Sequence, residues 1–185
     1  MAFQTTSKNR QAALRRILPE YLGDFENFEQ IDLFVDHSLK MMELFPEVTH
    51  WLTFNEPGIY ALQSRIMGGY PPGTKGDLKA AAQVMRNLLI AHCKIYKAAK
   101  EKFGDRIAIG ITHQWLRFSP LIGKGNPLEK LICYFMSKIT HYCVYNFFKT
   151  GRFDFKIPLR ANVQFNMSKK QFDQNNQFLD FIGVQ

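Results

Sequence analysis

An α/β protein made of successive parallel βα units is what this sequence predicts, and three observations lead there. Helix-period and strand-like segments alternate along the chain in the order helix, strand, helix, strand, helix, strand. Hydrophobic residues make up 46% of the chain and charged residues 22%, the balance of a soluble globular protein. No run of about 18 uninterrupted apolar residues occurs, so a membrane-spanning helix is not expected.

The elements follow in order. Phe28, Ile31, Val35, Leu39, Met42 and Phe45 recur at three- and four-residue steps and predict one inner helical face. Glu29, Asp32, Asp36 and Lys40 then turn to solvent, and Pro46 closes the helix. His50 to Phe54 mixes aromatic, apolar and β-branched residues, as a short core strand does. Pro57 has no N–H to give a ladder, so the strand stops there. The stretch from Gly58 to Gly76, rich in glycine and proline around Tyr60, Arg65 and Tyr70, reads as a long loop, and long loops after barrel strands are usually functional.

A second helix is predicted from about Leu78 to Phe103, with Leu78, Ala82, Met85, Leu89, His92, Tyr96 and Ala99 facing inward. Asp77 is placed to cap it and Gly104 to end it. Ile107 to Ile111 reads as a short strand whose Ala and Gly allow tight packing under helices. A third helix runs from Asn126 to about Phe148, with Pro127 in its first turn and apolar positions at Leu131, Tyr134, Phe135, Ile139, Tyr142, Val144 and Phe147. Thr150 to Gln177 is polar with scattered apolar residues and reads as irregular connection. Leu179 to Val184 is the last strand. Three parallel strands are therefore expected near residues 50–55, 107–112 and 179–184.

The residues that could carry chemistry gather after the first and second strands. Glu56 stands at the end of its strand beside the side-chain amide of Asn55. In parallel α/β barrels that end is where catalytic groups sit. A carboxyl group held against aromatic walls can have its pKa raised, which a general acid working near neutral pH requires. The plain alternative is that Asn-Glu-Pro is a strand-to-loop turn with Asn55 capping it. His113 and Trp115 follow the second strand in Thr112-His113-Gln114-Trp115; an aromatic face and an imidazole can contact a bound ligand there, or both can be packing residues at a rim. His50 precedes its strand and is expected to be structural.

Thr53-Phe54-Asn55-Glu56-Pro57 resembles the Thr-Phe/Leu-Asn-Glu-Pro signature of glycoside hydrolase family 1, the β-glucosidase family. Further similarities follow in the family's order: Gly69-Tyr70-Pro71-Pro72-Gly73 looks like its entrance loop, Ala80-Ala81-Ala82 to His92 like the helix after strand four, Arg106-Ile107-Ala108-Ile109-Gly110-Ile111 like strand five, and Asp180-Phe181-Ile182-Gly183-Val184 like the start of strand six. The resemblance covers roughly residues 19 to 185. It implies a partial (β/α)₈ barrel, about strands four to six with their helices, as a single incomplete catalytic domain over residues 1–185, of which 1–18 are expected to be disordered or a non-native start.

The same resemblance implies that Glu56 is the general acid/base of a retaining β-glycosidase acting on O-linked β-glucosides or related β-glycosides. Asn55 then bonds the sugar's 2-hydroxyl, His113 and Trp115 line the leaving-group side, and no metal or other cofactor takes part. Gln185 stands where the family usually has Asn. The family's Thr-Glu-Asn-Gly nucleophile segment has no counterpart, since the acidic residues after Asp105 are Glu129, Asp154, Asp173 and Asp180, none in that neighbourhood. A complete barrel typically needs about 250 residues, and this chain has 185. The chain is therefore expected to be a fragment, inactive by itself.

Charge and cysteines bound the alternatives. The net charge of +8 could suggest nucleic acid, but the basic residues are scattered, with Arg15-Arg16 and Lys169-Lys170 the densest pairs. Neither nucleic acid nor membrane is the expected partner; a β-linked glycoside is. Cys93, Cys133 and Cys143 are odd in number, form no Cys-x-x-Cys, and read as reduced thiols suited to the cytoplasm. Lys8, Arg10, Arg15 and Arg16 in an acid-free start faintly echo a transit peptide. The competing function is a non-catalytic remnant or a sugar-binding or interaction protein without turnover.

Overall fold

The structure is a computed structural model that describes residues 25–28, 30–121, 126–167 and 178–185. The expected start at 1–18, with its basic residues, and the Lys169-Lys170 pair lie outside the described residues.

The element order is α1 (Gln30–Leu44), β1 (His50–Asn55), α2 (Pro57–Arg65), α3 (Leu78–Phe103), β2 (Ala108–His113), α4 (Pro127–Ser137), a π-helical stretch (Lys138–Tyr142), α5 (Cys143–Thr150), β3 (Arg152–Ile157), β4 (Ala161–Asn166) and β5 (Phe181–Val184). The three expected strands form one sheet in the order β1-β2-β5, and both pairings are parallel. α3 starts and stops where the sequence says: Asp77 Oδ1 accepts from the Ala80 N–H at 2.9 Å, and Gly104 takes a φ of 60° as the chain leaves the helix. Its Ala80, Ala81 and Ala82 are buried at the start of the helix.

The core lies between the helices and one face of the sheet. Ile31, Leu88, Leu89, Ile95, Ile107, Ile109 and Ile111 are nearly or fully excluded from water, and burial of this kind is the dominant favourable term in folding. Gly110 is there because nothing larger fits. A Cβ at that position would meet the Phe181 carbonyl oxygen at 2.3 Å. Because that obstacle is backbone of the paired strand, Gly110→Ala should force β2 and β5 apart. A loss of more than about 4 kcal/mol is expected, read from urea denaturation followed by circular dichroism; a variant within about 1 kcal/mol of the parent would mean that the two strands do not share this register.

The structure departs from the sequence reading in four places. The stretch after Glu56 is not all loop, because Pro57 starts a helix there and α2 runs to Arg65. Residues 152–166 of the stretch after Thr150 are not irregular: β3 and β4 form an antiparallel hairpin, pairing Arg152 with Asn166 and Ile157 with Ala161, while 168–177 lie outside the described residues. Phe153, Phe155, Ala161 and Val163 are its buried side chains, and the polar residues alternating with them masked the strands. Phe28 and Phe45 fall just outside α1 and are 48% and 43% exposed, while Phe34 on the helix takes the inner place. On α4, Leu131 and Tyr134 of the expected inner face are exposed, as is Tyr142 on the π-helical stretch that follows; burial in this third helix begins at Ile139. The π-helical stretch adds one residue to a turn and so rotates the helix faces on either side of it.

Candidate active site

The site grows out of an irregularity in β1. His50, Trp51 and Leu52 pair with Ala108, Ile109 and Gly110 in step, but Asn55 pairs with Thr112, so one extra residue is accommodated between Leu52 and Asn55. Side chains on a regular strand alternate faces. Here two consecutive ones reach the helical layer: the Thr53 hydroxyl meets His92 of α3 at 2.7 Å, and the Phe54 ring stacks on Phe34 of α1 at 5.1 Å. Such a bulge re-aims the residues that follow it. Those residues are Asn55 and Glu56.

Glu56 has φ 52° and ψ 63°, a left-handed conformation that costs a residue with a Cβ about 1 kcal/mol or more. Its backbone N–H is held by β2, donating to the Thr112 carbonyl at 3.0 Å and toward the Thr112 hydroxyl at 3.2 Å. Although Glu56 stands at the N-terminus of α2, its side chain does not cap that helix. It lines a narrow crevice with Gly58, Ile59, His113, Gln114, Thr140 and His141. That crevice runs between α2, the end of β2 and the π-helical stretch, and is far too tight to hold a sugar.

The other expected residues sit around the same strand ends. Asn55 is exposed, and its Oδ1 accepts from the Thr112 hydroxyl at 2.8 Å and from the Gln185 amide at 3.4 Å. Gln185 ties the third strand in, its N–H donating to the His113 carbonyl at 3.1 Å while its carbonyl accepts from the Trp115 N–H at 3.0 Å. Trp115 is 55% exposed, with its ring stacked on that of His141 at 5.1 Å. His113 is buried. The structure thus brings Asn55, Glu56, His113 and Trp115 to one end of one sheet. His50 lies at the opposite end of β1, exposed and bonded to the Thr49 hydroxyl.

Sequence reasoning missed His141. It belongs to the π-helical stretch, and no spacing in the primary structure tied it to His113. Its Nε2 lies 2.7 Å from the Leu116 carbonyl and its Nδ1 3.1 Å from Nε2 of His113. Burial, with His141 alongside, pushes the His113 pKa down to about 4. Burial also lowers that of His141, partly offset by its bond to the Leu116 carbonyl. Both rings are neutral at pH 7. Among the described residues, no group of three or more His, Cys, Asp or Glu side chains could hold a metal ion, and no helix is long and apolar enough to cross a membrane. The three cysteines are free; burial pushes the Cys143 thiol up to about 12 and that of Cys93 higher still.

The sequence pattern of glycosyl hydrolase family 1 matches residues 14–184. A 6-phospho-β-galactosidase of Staphylococcus aureus is 39% identical over 98 residues, covering 51% of this chain and 21% of that protein. Among solved structures, a rice β-glucosidase superposes with a TM-score of 0.72 at 16% identity, over 89% of this chain and 37% of its own. The β-glucosidase of Trichoderma harzianum gives 0.71 at 22% identity, over 90% and 37%. At such identities the likeness shows the fold: an α/β segment of the barrel those enzymes share. The chain spans about a fifth of the length of the curated relatives it matches.

Proposed function

The chain belongs to glycosyl hydrolase family 1, and from that premise we propose that it carries the acid/base half of a retaining β-glycosidase site, with O-linked β-glucosides as substrate. One observation carries this reading. Glu56 is held in a strained conformation at the C-terminal end of a parallel strand, its N–H donating to the Thr112 carbonyl of the neighbour strand while its carbonyl accepts from the Tyr60 N–H of α2. Strain of this kind collects at functional sites.

In the reaction the Glu56 carboxyl protonates the glycosidic oxygen as the bond to the anomeric carbon breaks, while a second carboxylate attacks that carbon and forms a glycosyl ester. Glu56, now a carboxylate, takes a proton from the water that displaces the ester. The Asn55 Oδ1 is occupied by Thr112, which leaves its amide N–H₂ as the group to meet the sugar's 2-hydroxyl, a bond that strengthens in the transition state. Trp115 offers its exposed ring face to the leaving group. Reduced cysteines suit action in the cytoplasm.

The second carboxylate must stand about 5 Å from the first. Among the described residues lining the crevice, Glu56 is the single carboxylate. The purified 185-residue chain is therefore expected to release no aglycone from an aryl β-glucoside. The test joins the chain to the remaining βα units of a family member and assays aryl β-glucoside and aryl 6-phospho-β-galactoside in parallel, the latter because of the named Staphylococcus relative. Hydrolysis of the β-glucoside with retained anomeric configuration is expected. A folded, completed barrel that turns over neither substrate would favour the non-catalytic reading. Turnover by the chain alone at roughly 1–10³ per second would mean that it holds a nucleophile outside the crevice.

A further inference from the structure

The Thr112 hydroxyl stands between Asn55 and the backbone of Glu56. A backbone N–H can only donate, and that of Glu56 is shared between the Thr112 carbonyl at 3.0 Å and the Thr112 hydroxyl oxygen at 3.2 Å. The hydroxyl thus accepts from Glu56, and its single proton is left for another acceptor. Asn55 Oδ1 lies 2.8 Å away. Thr112 is only 6% exposed, and a buried donor without an acceptor is costly. The two ends of a carboxamide have the same shape, so hydrogen bonds alone decide which way it faces. Here they place the Asn55 oxygen on Thr112. The Gln185 amide, 3.4 Å from the same oxygen, then has to present its own N–H₂ to it. Donation runs from Glu56 through Thr112 to Asn55. The rotamer of Thr112 is set from the other side: its methyl group lies against β5, where a Cβ on Gly183 would come within 3.1 Å of it. A β-branched side chain has few χ1 states, so the methyl against Gly183 turns the hydroxyl toward β1.

We propose that Thr112 is a positioning residue, whose hydroxyl holds the Asn55 amide with its oxygen inward and its N–H₂ outward, and ties that orientation to the backbone of Glu56. The inference rests on the glycosidase reading only for what the amide meets, the oxygen of the sugar's 2-hydroxyl. Unlike the narrow crevice, which Asn55 does not line, this group faces open space: Asn55 is exposed, and its Nδ2 is bonded to no described residue. With its oxygen occupied by Thr112 and Gln185, Asn55 offers donors alone. Donors already aimed at an oxygen whose negative charge grows in the transition state need no reorganisation as the reaction proceeds. An amide free to turn would present its own oxygen for part of the time and lose that advantage.

Two measurements test this, and the first needs no activity. It is NMR of the 185-residue chain with labelled asparagine, the Asn55 resonances assigned through Asn55→Asp. A carboxamide oxygen that accepts from a hydroxyl holds its ¹³Cγ resonance downfield. Thr112→Val keeps the shape and loses the hydroxyl, so that resonance should move upfield, whereas Thr112→Ser should leave it in place. An unmoved resonance in a folded Thr112→Val overturns the proposal. So does a strong nuclear Overhauser contact in the parent chain between the Asn55 Nδ2 protons and the Thr112 side chain, a result that needs no variant to fold. The second measurement uses the chain completed by the remaining βα units of a family member. Thr112→Val should lower kcat for an aryl β-glucoside by roughly 10–10²-fold with KM little changed, and Thr112→Ser should recover most of it. The 2-deoxy analogue has no 2-hydroxyl to meet the amide, and the Thr112 carbonyl still holds the Glu56 N–H, so its kcat should fall by less than about threefold. Equal losses on both substrates would make Thr112 a structural residue only and overturn the proposal. A completed parent that turns over neither substrate counts against the glycosidase reading, and the amide orientation is then decided by the first measurement alone.

Discussion

Glu56→Gln, introduced into the chain completed by the remaining βα units, is expected to lower kcat for poor leaving groups by roughly 10²–10⁴. The amide keeps the shape of the acid and can still donate a hydrogen bond, but it has no proton to transfer. The loss should depend on the aglycone. A nitrophenolate departs without protonation, so formation of the glycosyl ester is slowed little; an alkyl alkoxide needs the proton, so the same step nearly stops. Breakdown of the ester, where Glu56 acts as base, is slowed for every substrate, and a burst of nitrophenol ahead of slow turnover should appear. Adding azide, a nucleophile that needs no base, should restore turnover of the nitrophenyl substrate and yield the β-azide. Equal loss for both aglycones, with no burst, would place Glu56 in structure and not in proton transfer.

How much of this was legible in the sequence depends on which signals are local. β1 was expected near residues 50–55 and α3 from about Leu78 to Phe103, close to the observed His50–Asn55 and Leu78–Phe103, because each is bounded by residues whose chemistry limits it, Pro57 in one case and Asp77 with Gly104 in the other. The hairpin of β3 and β4 was missed although Phe153 and Phe155 alternate with Asp154 and Lys156, a period of two that is easily lost among polar neighbours. Glu56 and Asn55 could be found because they are contiguous. The bulge that aims them could not, since it exists only in the pairing of β1 with β2. His141 is the clearest case: its role comes from a π-helical stretch and a contact across 28 residues of chain, and neither leaves a mark in the order of amino acids.

Acidification should destabilise this chain from about pH 6.5 downward, before its carboxylates are fully neutralised, and His92 is a main reason. It is fully buried on α3, where its Nε2–H donates to the Phe178 carbonyl at 2.5 Å and its Nδ1 accepts from the Thr53 hydroxyl. One neutral ring thus ties the helix to β1 and to the segment leading into β5. Burial, against weaker upward pulls from the Phe178 bond and Asp180, lowers its pKa to about 4, and His113 is likewise lowered to about 4. The sign follows from the depression. Above the unfolded value of 6.5 neither state is protonated and the stability is intact. Between that value and about 4 the unfolded chain binds protons that the folded chain refuses, so stability falls with pH through this window and levels off below it. At about 1.4 kcal/mol per pH unit, His92 alone accounts for about 3 kcal/mol, a large part of the margin of an ordinary domain. Asp180, whose pKa is also lowered, with the Lys100 ammonium and the Ile109 N–H opposing its own burial, adds its loss only at lower pH. Urea midpoints measured from pH 7.5 down to pH 4 should therefore drop steadily once below about 6.5. His92→Gln can keep a side-chain donor and acceptor without a titratable ring, so it should be less stable than the parent at pH 7.5 yet show a visibly flatter descent. A descent of unchanged slope in that variant would move the acid sensitivity away from His92.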